Sequence, residues 1–313
     1  MKKNIVVSLF LVILVSFFSG FVLSKNAPQG SIKMHIKDLP HHNLRLISPS
    51  DPSFDERVNK EFRGQSNEVT DALKPFSVFL ENKGESTVVG YLIQWCFTKA
   101  DGSNQYYRKA LLNPQALMGD QNLSPELSRQ SGQIEPHSAI FLSLLSPQGG
   151  GNLGIKISRE EAEEFRQGKR LDQSTLLQRF RAEAAQCTAI TVSIDAAVFD
   201  DGTFVGPDTS NFFNQTKAVI EAKRDFLNEL AAGLSNSSKL GDSQHGRLQE
   251  TAAQQLEDLG SKSTPSDYYN YFKKLAAIEF LQAKNAQGEE QALEKARLEM
   301  NKNKPWVTLR KKD

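Results

Sequence analysis

The carboxylates that could do chemistry gather in the middle of the chain. Asp195, Asp200, Asp201 and Asp208 fall within fourteen residues, and Ca²⁺ is bound by several oxygen ligands that converge from one loop. Their spacing does not match an EF-hand, and an Asp-Asp-Gly segment is also typical of a tight hairpin turn. We therefore interpret the cluster as turn-forming residues and predict no metal site.

The other residue types that support catalysis are scattered. The five histidines form no His-Glu-x-x-His pattern, and no serine stands in a Gly-x-Ser-x-Gly elbow. Adjacent glutamates at 160–161 and 163–164 lie on one predicted helix, whereas glycoside hydrolysis needs two carboxylates held across a cleft. The sequence therefore indicates no catalytic residue.

A glycine-rich segment matches a nucleotide-binding motif only in its letters. Residues 149–154 read Gly-x-Gly-x-x-Gly, but Ile155-Lys156-Ile157 continues as extended chain where a phosphate-binding helix would have to begin. The helix start comes only at Ser158, with Glu161 completing a capping box. We interpret the segment as a flexible turn and predict no cofactor.

The first 24 residues carry the features of an export signal. Met1-Lys2-Lys3 precedes an apolar stretch from Ile5 to Leu23 that only small residues interrupt, and no acidic residue occurs before Asp38. Val22-Leu23-Ser24 is an acceptable cleavage site, yet the stretch is nearly long enough to span a bilayer. Residues 1–24 are therefore either a cleaved signal peptide or an N-terminal membrane anchor, and the positive-inside rule puts the rest of the chain outside in both cases.

Outside the cytoplasm, two cysteines are first of all a disulfide candidate. Cys96 and Cys187 are the only cysteines, and two cysteines without clustered histidines cannot form a tetrahedral zinc site. Counted along their strands, both thiols project from the less apolar face. If the strands are neighbours in one sheet, we expect a Cys96–Cys187 disulfide.

The elements that hold these residues are strands up to about residue 204. Strands are predicted near 32–36, 44–46, 76–80, 89–97, 105–112, 137–145 and 188–199 from the alternation of apolar and polar residues. In the clearest strand Tyr91, Trp95 and Phe97 share one face, which we interpret as core, with a sugar-binding platform as the alternative. Asp101-Gly102 predicts the hairpin turn that follows.

Helical patterns interrupt and then succeed the strands. Residues 158–186 read as a helical insertion, and residues from 210 onward are helical. Large apolar residues between 212 and 234 form a wide stripe that requires cover, for which we expect the helix carrying Tyr268, Tyr271, Phe272, Leu275 and Ile278. The basic tail after Trp306 is expected to be a C-terminal strand or a frayed end, with contact to anionic lipid or cell-wall polymer as the alternative.

These patterns predict an α+β protein. We expect a signal peptide or anchor at 1–24, an antiparallel β-sandwich at 25–208 with a helical insertion at 158–186, and an α-helical region with a basic tail at 209–313. The strand with Gly90, Tyr91 and Trp95 resembles those of immunoglobulin- and fibronectin-like sandwiches in architecture. It departs from true immunoglobulin domains because the tryptophan directly precedes a cysteine rather than following one by about a dozen residues.

The composition excludes one class of function. The chain has 313 residues and a net charge of +1, which excludes the strongly basic surface of a nucleic-acid-binding protein. We expect an exported, non-catalytic binding or structural protein of the cell envelope, located in the periplasm, outside the cell or on the outer face of the cytoplasmic membrane. An envelope protein or polymer is the candidate partner, and membrane contact is expected only through residues 1–24 if they are retained. The alternative is a hydrolase acting on an envelope polymer or glycan, which would need a cleft lined by convergent acidic or histidine side chains.

Overall fold

The computed structural model describes residues 33–64, 71, 73–117, 132–144, 178, 181–231, 264–300 and 307–312. The chain divides into two compact units, residues 1–33 and 34–313, and Lys33 is the one described residue of the first. The predicted export signal at 1–24, the glycine turn at 149–154 and most of the helical insertion at 158–186 lie outside the described residues.

The fold is α+β, with two sheets that do not close. The larger sheet has six strands in the order β5-β4-β7-β8-β9, and β1 also pairs with β7. Its strands are β1 (Lys33–Lys37), β4 (Val88–Lys99), β5 (Asn104–Leu112), β7 (Cys187–Phe199), β8 (Thr203–Val205) and β9 (Arg310–Lys311). The smaller sheet has the order β2-β3-β6 and consists of β2 (Leu44–Ile47), β3 (Val78–Asn82) and β6 (Ser138–Leu142).

The described helices are concentrated after the strands. Two short ones, α1 (Phe54–Glu61) and α2 (Pro114–Leu117), lie among the strands, and 3-10 turns occur at Pro40–His42 and Lys74–Phe76. The long ones are α3 (Phe212–Ala231), α4 (Pro265–Gln287) and α5 (Glu289–Met300). None of the helices in the described part of the chain is long and apolar enough to cross a membrane.

Strand β4 lies inside the larger sheet, between β5 and β7. Its predicted apolar row is confirmed as core, since Tyr91, Ile93, Trp95 and Phe97 are all at most 2% exposed. The predicted hairpin to β5 is also confirmed: Gly102 donates its backbone N–H to Lys99 O at 3.0 Å and has φ +81°. That conformation suits glycine, which has no Cβ to clash.

The wide apolar stripe on α3 is explained by two different neighbours. Near its start, Phe212 and Ile220 pack against Leu92, Ala196, Val198 and Phe204 of the larger sheet. Near its end, Phe226, Leu227 and Leu230 pack against apolar residues of the other long helices, namely Ala276 and Phe280 of α4 and Ala292 and Ala296 of α5. The expected covering helix is therefore correct. Of the residues expected to supply the cover, Tyr268 accepts a hydrogen bond from Gln215 Nε2 of α3 at 3.5 Å. The other four form a separate cluster, namely Tyr271, Phe272, Leu275 and Ile278.

The basic tail is a strand. Residues Arg310–Lys311 pair with β8 in parallel, while Val307 and Leu309 pack against the cluster around Phe204. The Lys311 amine lies 3.2 Å from the Asp208 carboxylate. The expectation of a C-terminal strand is thereby confirmed for residues 310–311.

Candidate functional site

The side of β4, β5 and β7 opposite the core row is polar over half of its length. Because side chains alternate along a strand, the register defines this surface as three cross-strand rows, which we call the polar outer face. The rows are Arg108–Gln94–Ser193, Tyr106–Cys96–Thr191 and Asn104–Thr98–Ala189, each written in the order β5, β4, β7. The β5 members Asn104, Tyr106 and Arg108 are exposed, and the others are half-buried.

Cross-strand hydrogen bonds fix the side chains of this face. Arg108 Nε donates to Gln94 Oε1 at 3.0 Å, and Thr98 Oγ1 donates to Asn104 Oδ1 at 2.9 Å. Tyr106 is 51% exposed. Its interaction with the Cys96 side chain directly opposite raises the pKa of the Tyr106 hydroxyl, against the opposing charge of Arg108. The phenol is therefore neutral.

The same side of the sheet is apolar at its other end. There Leu92, Ala196 and Val198 lie beneath Phe212 and Ile220 of α3. One half of the surface is thus used for packing the helix. The other half, the polar outer face, presents an aromatic ring, a guanidinium group, amides and hydroxyls to the solvent.

The inner side of β5 carries polar groups with a structural role. The Tyr107 hydroxyl is buried and donates to the Glu183 carboxylate, and Gln105 Nε2 donates to the Tyr107 hydroxyl oxygen at 2.6 Å. Lys109 Nζ donates to Ser143 O, just beyond β6, at 3.4 Å. Loss of hydration on burial lowers the pKa of Lys109. These contacts join β5 to neighbouring segments and leave the groups committed to protein partners.

Cys96 and Cys187 are both free, which corrects the expectation of a disulfide. Cys96 lies opposite Thr191, whereas Cys187 lies opposite Lys99, four positions further along β7. At about 3.3 Å per residue that offset is roughly 13 Å, well beyond the Cα separation that a disulfide allows. A register shift between Thr98 and Lys99 also breaks the alternation from which the orientation of Cys187 was inferred.

The Cys187 thiol has its own partner. Its Sγ donates to Glu183 O at 3.3 Å. Burial raises the pKa of the Cys187 thiol, and Lys99 acts in the opposite direction. A thiol with a raised pKa is a weaker nucleophile at neutral pH, because the thiolate is the reactive form.

The aspartate cluster separates into two turns. Asp195 is 2% exposed, and its carboxylate accepts hydrogen bonds from Thr209 N at 2.9 Å, Thr209 Oγ1 at 2.5 Å and Ser210 N at 3.0 Å. Asp208 Oδ1 accepts from Phe213 N at 3.1 Å, in the first turn of α3. Both carboxylates therefore organise the turn that leads into α3.

Gly206 allows that turn to approach β7. It has φ +115°, and a Cβ added there would lie 2.5 Å from Asp195 O. Asp201 belongs to the second turn and accepts from Thr203 N at 2.8 Å. Among the described residues, no group of histidine, cysteine, aspartate or glutamate side chains has the arrangement of a metal site.

Tyr106 and Arg108 were not singled out by the sequence analysis. The aromatic residues that the sequence analysis considered as a possible sugar-binding platform were Tyr91, Trp95 and Phe97 of β4, and the structure places them in the core. In the structure β5 is exposed at Asn104, Tyr106 and Arg108 and buried at Tyr107. The sequence of this strand carries no matching alternation of apolar and polar residues, because Gln105 and Lys109 share the side of Tyr107.

Comparison with known proteins adds no relative. No protein-family model matches the chain, and no curated protein or solved structure is significantly similar to it.

Proposed function

We propose that this chain is an exported, non-catalytic binding protein of the cell envelope, and that it binds through the polar outer face. The observation that supports a binding role is the open sheet surface with Tyr106 and Arg108 exposed on it. An exposed ring and an oriented guanidinium group suit recognition of an extended partner. Catalysis would instead call for reactive groups that converge in a cleft.

The location rests on the N-terminal sequence. A short positive start followed by an apolar stretch from Ile5 to Leu23 is typical of export signals. A reporter enzyme fused after Asp313 should be active outside the cytoplasm, and cytoplasmic activity of an intact fusion would contradict export. Mass spectrometry of the cellular protein distinguishes the two forms of the signal. A chain that begins at Lys25 has been cleaved, and a chain that retains Met1 is anchored.

The binding role is tested by sedimentation with isolated cell-wall material. The purified chain should pellet with this material. Tyr106→Ala should lower the apparent affinity, obtained from the pelleted fraction at several concentrations of the material, by about tenfold or more. Leu298→Ala is the matched control, since Leu298 is 59% exposed on α5 and lies outside the polar outer face. Equal pelleting of wild type and Tyr106→Ala would contradict the assignment of this surface.

The alternative, a hydrolase of an envelope polymer, has less support. The carboxylates of Asp195 and Glu183 accept hydrogen bonds from neighbouring groups, and Asp208 holds the start of α3 and Lys311. Release of reducing ends from cell-wall material by the wild-type chain, and its loss in Glu183→Gln, would favour the hydrolase.

We also propose that the two sheets face each other as a sandwich. Three contacts between the larger sheet and segments that flank the strands of the smaller one support this arrangement. Trp95 Nε1 of β4 donates to Phe76 O, next to β3, at 3.0 Å. Lys109 of β5 reaches Ser143 O beyond β6, and an antiparallel bridge joins Val88 to Ile134. The buried row of β4 would then form the layer between the sheets.

A further inference from the structure

We infer that the polar outer face binds a sugar polymer that carries carboxylate groups. This inference rests on the proposed function, because it names the ligand class for the same surface.

The first reason is the exposed ring. Tyr106 is the one exposed large aromatic residue among those the structure describes. It lies directly opposite Cys96 on the neighbouring strand, so the backbone that carries the ring is held in the sheet before a ligand arrives. The apolar C–H faces of sugar rings pack well against a phenol ring of this kind, which combines an apolar body with a polar tip.

The second reason is the state of Arg108. Its Nε is occupied by Gln94, which orients the guanidinium group and leaves the two terminal amino groups for another partner. No carboxylate in the described part of the chain lies within ion-pair distance of it. The polar outer face itself contains no aspartate or glutamate. An oriented guanidinium group with no carboxylate partner among the described residues is complementary to a carboxylate, which it can bind through two parallel hydrogen bonds.

The third reason concerns the rest of the surface. Thr98, Asn104, Thr191 and Ser193 supply hydroxyls and an amide at the strand spacing of about 4.8 Å. Sugar hydroxyls can both donate to and accept from such groups. A protein partner would instead require an apolar centre with several large side chains, and Tyr106 alone cannot provide one. The chemistry therefore favours a glycan over a protein.

A matched pair of polymers tests the inference. Affinity electrophoresis of the full chain, purified as the cell processes it, should show retardation by carboxymethyl-dextran and little retardation by unmodified dextran. Tyr106→Ala and Arg108→Gln should each weaken the interaction by about tenfold or more. Arg108→Lys should not restore it, since an ammonium group cannot form the two parallel bonds.

Two controls separate specific binding from general charge effects. Arg297→Gln removes an exposed arginine on α5 that lies 4.0 Å from Glu294, and it should leave the retardation unchanged. Polyglutamate carries carboxylates without sugar rings and should bind more weakly than carboxymethyl-dextran. Equal binding of polyglutamate, or equal binding of the two dextrans, would overturn the inference.

The inference and the proposed function can fail separately. Loss of retardation by carboxymethyl-dextran together with Tyr106-dependent pelleting of cell-wall material would overturn the ligand class while leaving the binding role in place. Loss of both would overturn the binding role as well. Thermal unfolding of each variant at the wild-type temperature shows that the losses come from the surface and not from misfolding.

Discussion

At the residue scale, Asp195 illustrates a carboxylate used for structure rather than chemistry. It accepts the backbone N–H groups of Thr209 and Ser210 while buried at the edge of the core. A buried donor that loses its acceptor is costly because water cannot replace the partner. We expect Asp195→Ala to lower the free energy of unfolding by about 1.5–3 kcal/mol in a urea titration.

Asp201→Ala provides the matched control for that measurement. Asp201 also accepts a backbone N–H, from Thr203, but it is exposed. Water can satisfy the donor after the substitution, so the loss should stay below about 1 kcal/mol. Equal losses for the two variants would show that burial of the Asp195 turn contributes little.

Lys109 makes the free energy of unfolding depend on pH in the alkaline range. Burial lowers the pKa of its amine below the ordinary value of 10.5, so between the lowered pKa and 10.5 the unfolded chain binds more protons than the folded one. Lys109 therefore contributes a rise in stability with pH across that window, to be read as the difference between the wild type and Lys109→Met. Lys109→Met should remove this rise and should not lower stability at pH 7, as measured by urea unfolding at several pH values. A loss above about 1 kcal/mol at pH 7 would mean that the bond to Ser143 O outweighs the desolvation of the amine.

At the element scale, the sequence pattern predicted the strands of four or more residues and the helices α3, α4 and α5. It did not predict β8, which is only three residues long and too short to show a period. The tail strand β9 was expected, but its parallel pairing with β8 was not. That pairing joins segments that lie far apart in the sequence, and a local pattern does not specify such a partner.

The wide stripe of α3 leads to a prediction about helix packing. Phe226 is 7% exposed, and its ring lies 6.1 Å from that of Phe280 on α4. Truncation would leave a cavity between the helices, so Phe226→Ala should lower the free energy of unfolding by about 3–5 kcal/mol. Leu298→Ala on the exposed side of α5 should cost less than about 1 kcal/mol. A loss below about 1 kcal/mol for Phe226→Ala would indicate that the helices are held together elsewhere.

At the scale of the whole molecule, the sequence could not reveal which half of a sheet surface stays open. Alternation correctly separated the two sides of β4 from Tyr91 to Phe97. It was wrong for Val89, which was expected beside Tyr91 but packs in the cluster with Leu92, next to a register shift between Val88 and Gly90. It could not show that α3, more than a hundred residues downstream, covers Leu92 but leaves Cys96 partly exposed. The exposed aromatic residue, Tyr106, was missed for this reason. Register and long-range cover are tertiary properties, and a single strand does not encode them.

The C-terminal strand is expected to stabilise the entire larger sheet. Removal of residues 307–313 would uncover the cluster around Phe204 that Val307 and Leu309 help to bury. It would also break the bonds from Arg310 N to Gly202 O and from Lys312 N to Phe204 O. We expect a loss of about 2 kcal/mol in the free energy of unfolding, measured by urea titration. Lys311→Ala should cost less than about 1 kcal/mol, because the Lys311 side chain is 45% exposed and Asp208 keeps its hydrogen bond from Phe213 N. A similar loss in both variants would assign the stabilisation to the ion pair alone.

The late position of β9 also determines when the molecule can be completed during synthesis. Asp208 and Lys311 form an ion pair although they are 103 positions apart. The ribosome synthesises residues 203–205 long before residues 310–311. Strand β8 therefore gains its parallel partner only after nearly all of the 313 residues have emerged. The apolar cluster at Phe204 stays incomplete until then. Until then the growing chain exposes apolar surface of the kind that makes folding intermediates prone to aggregate.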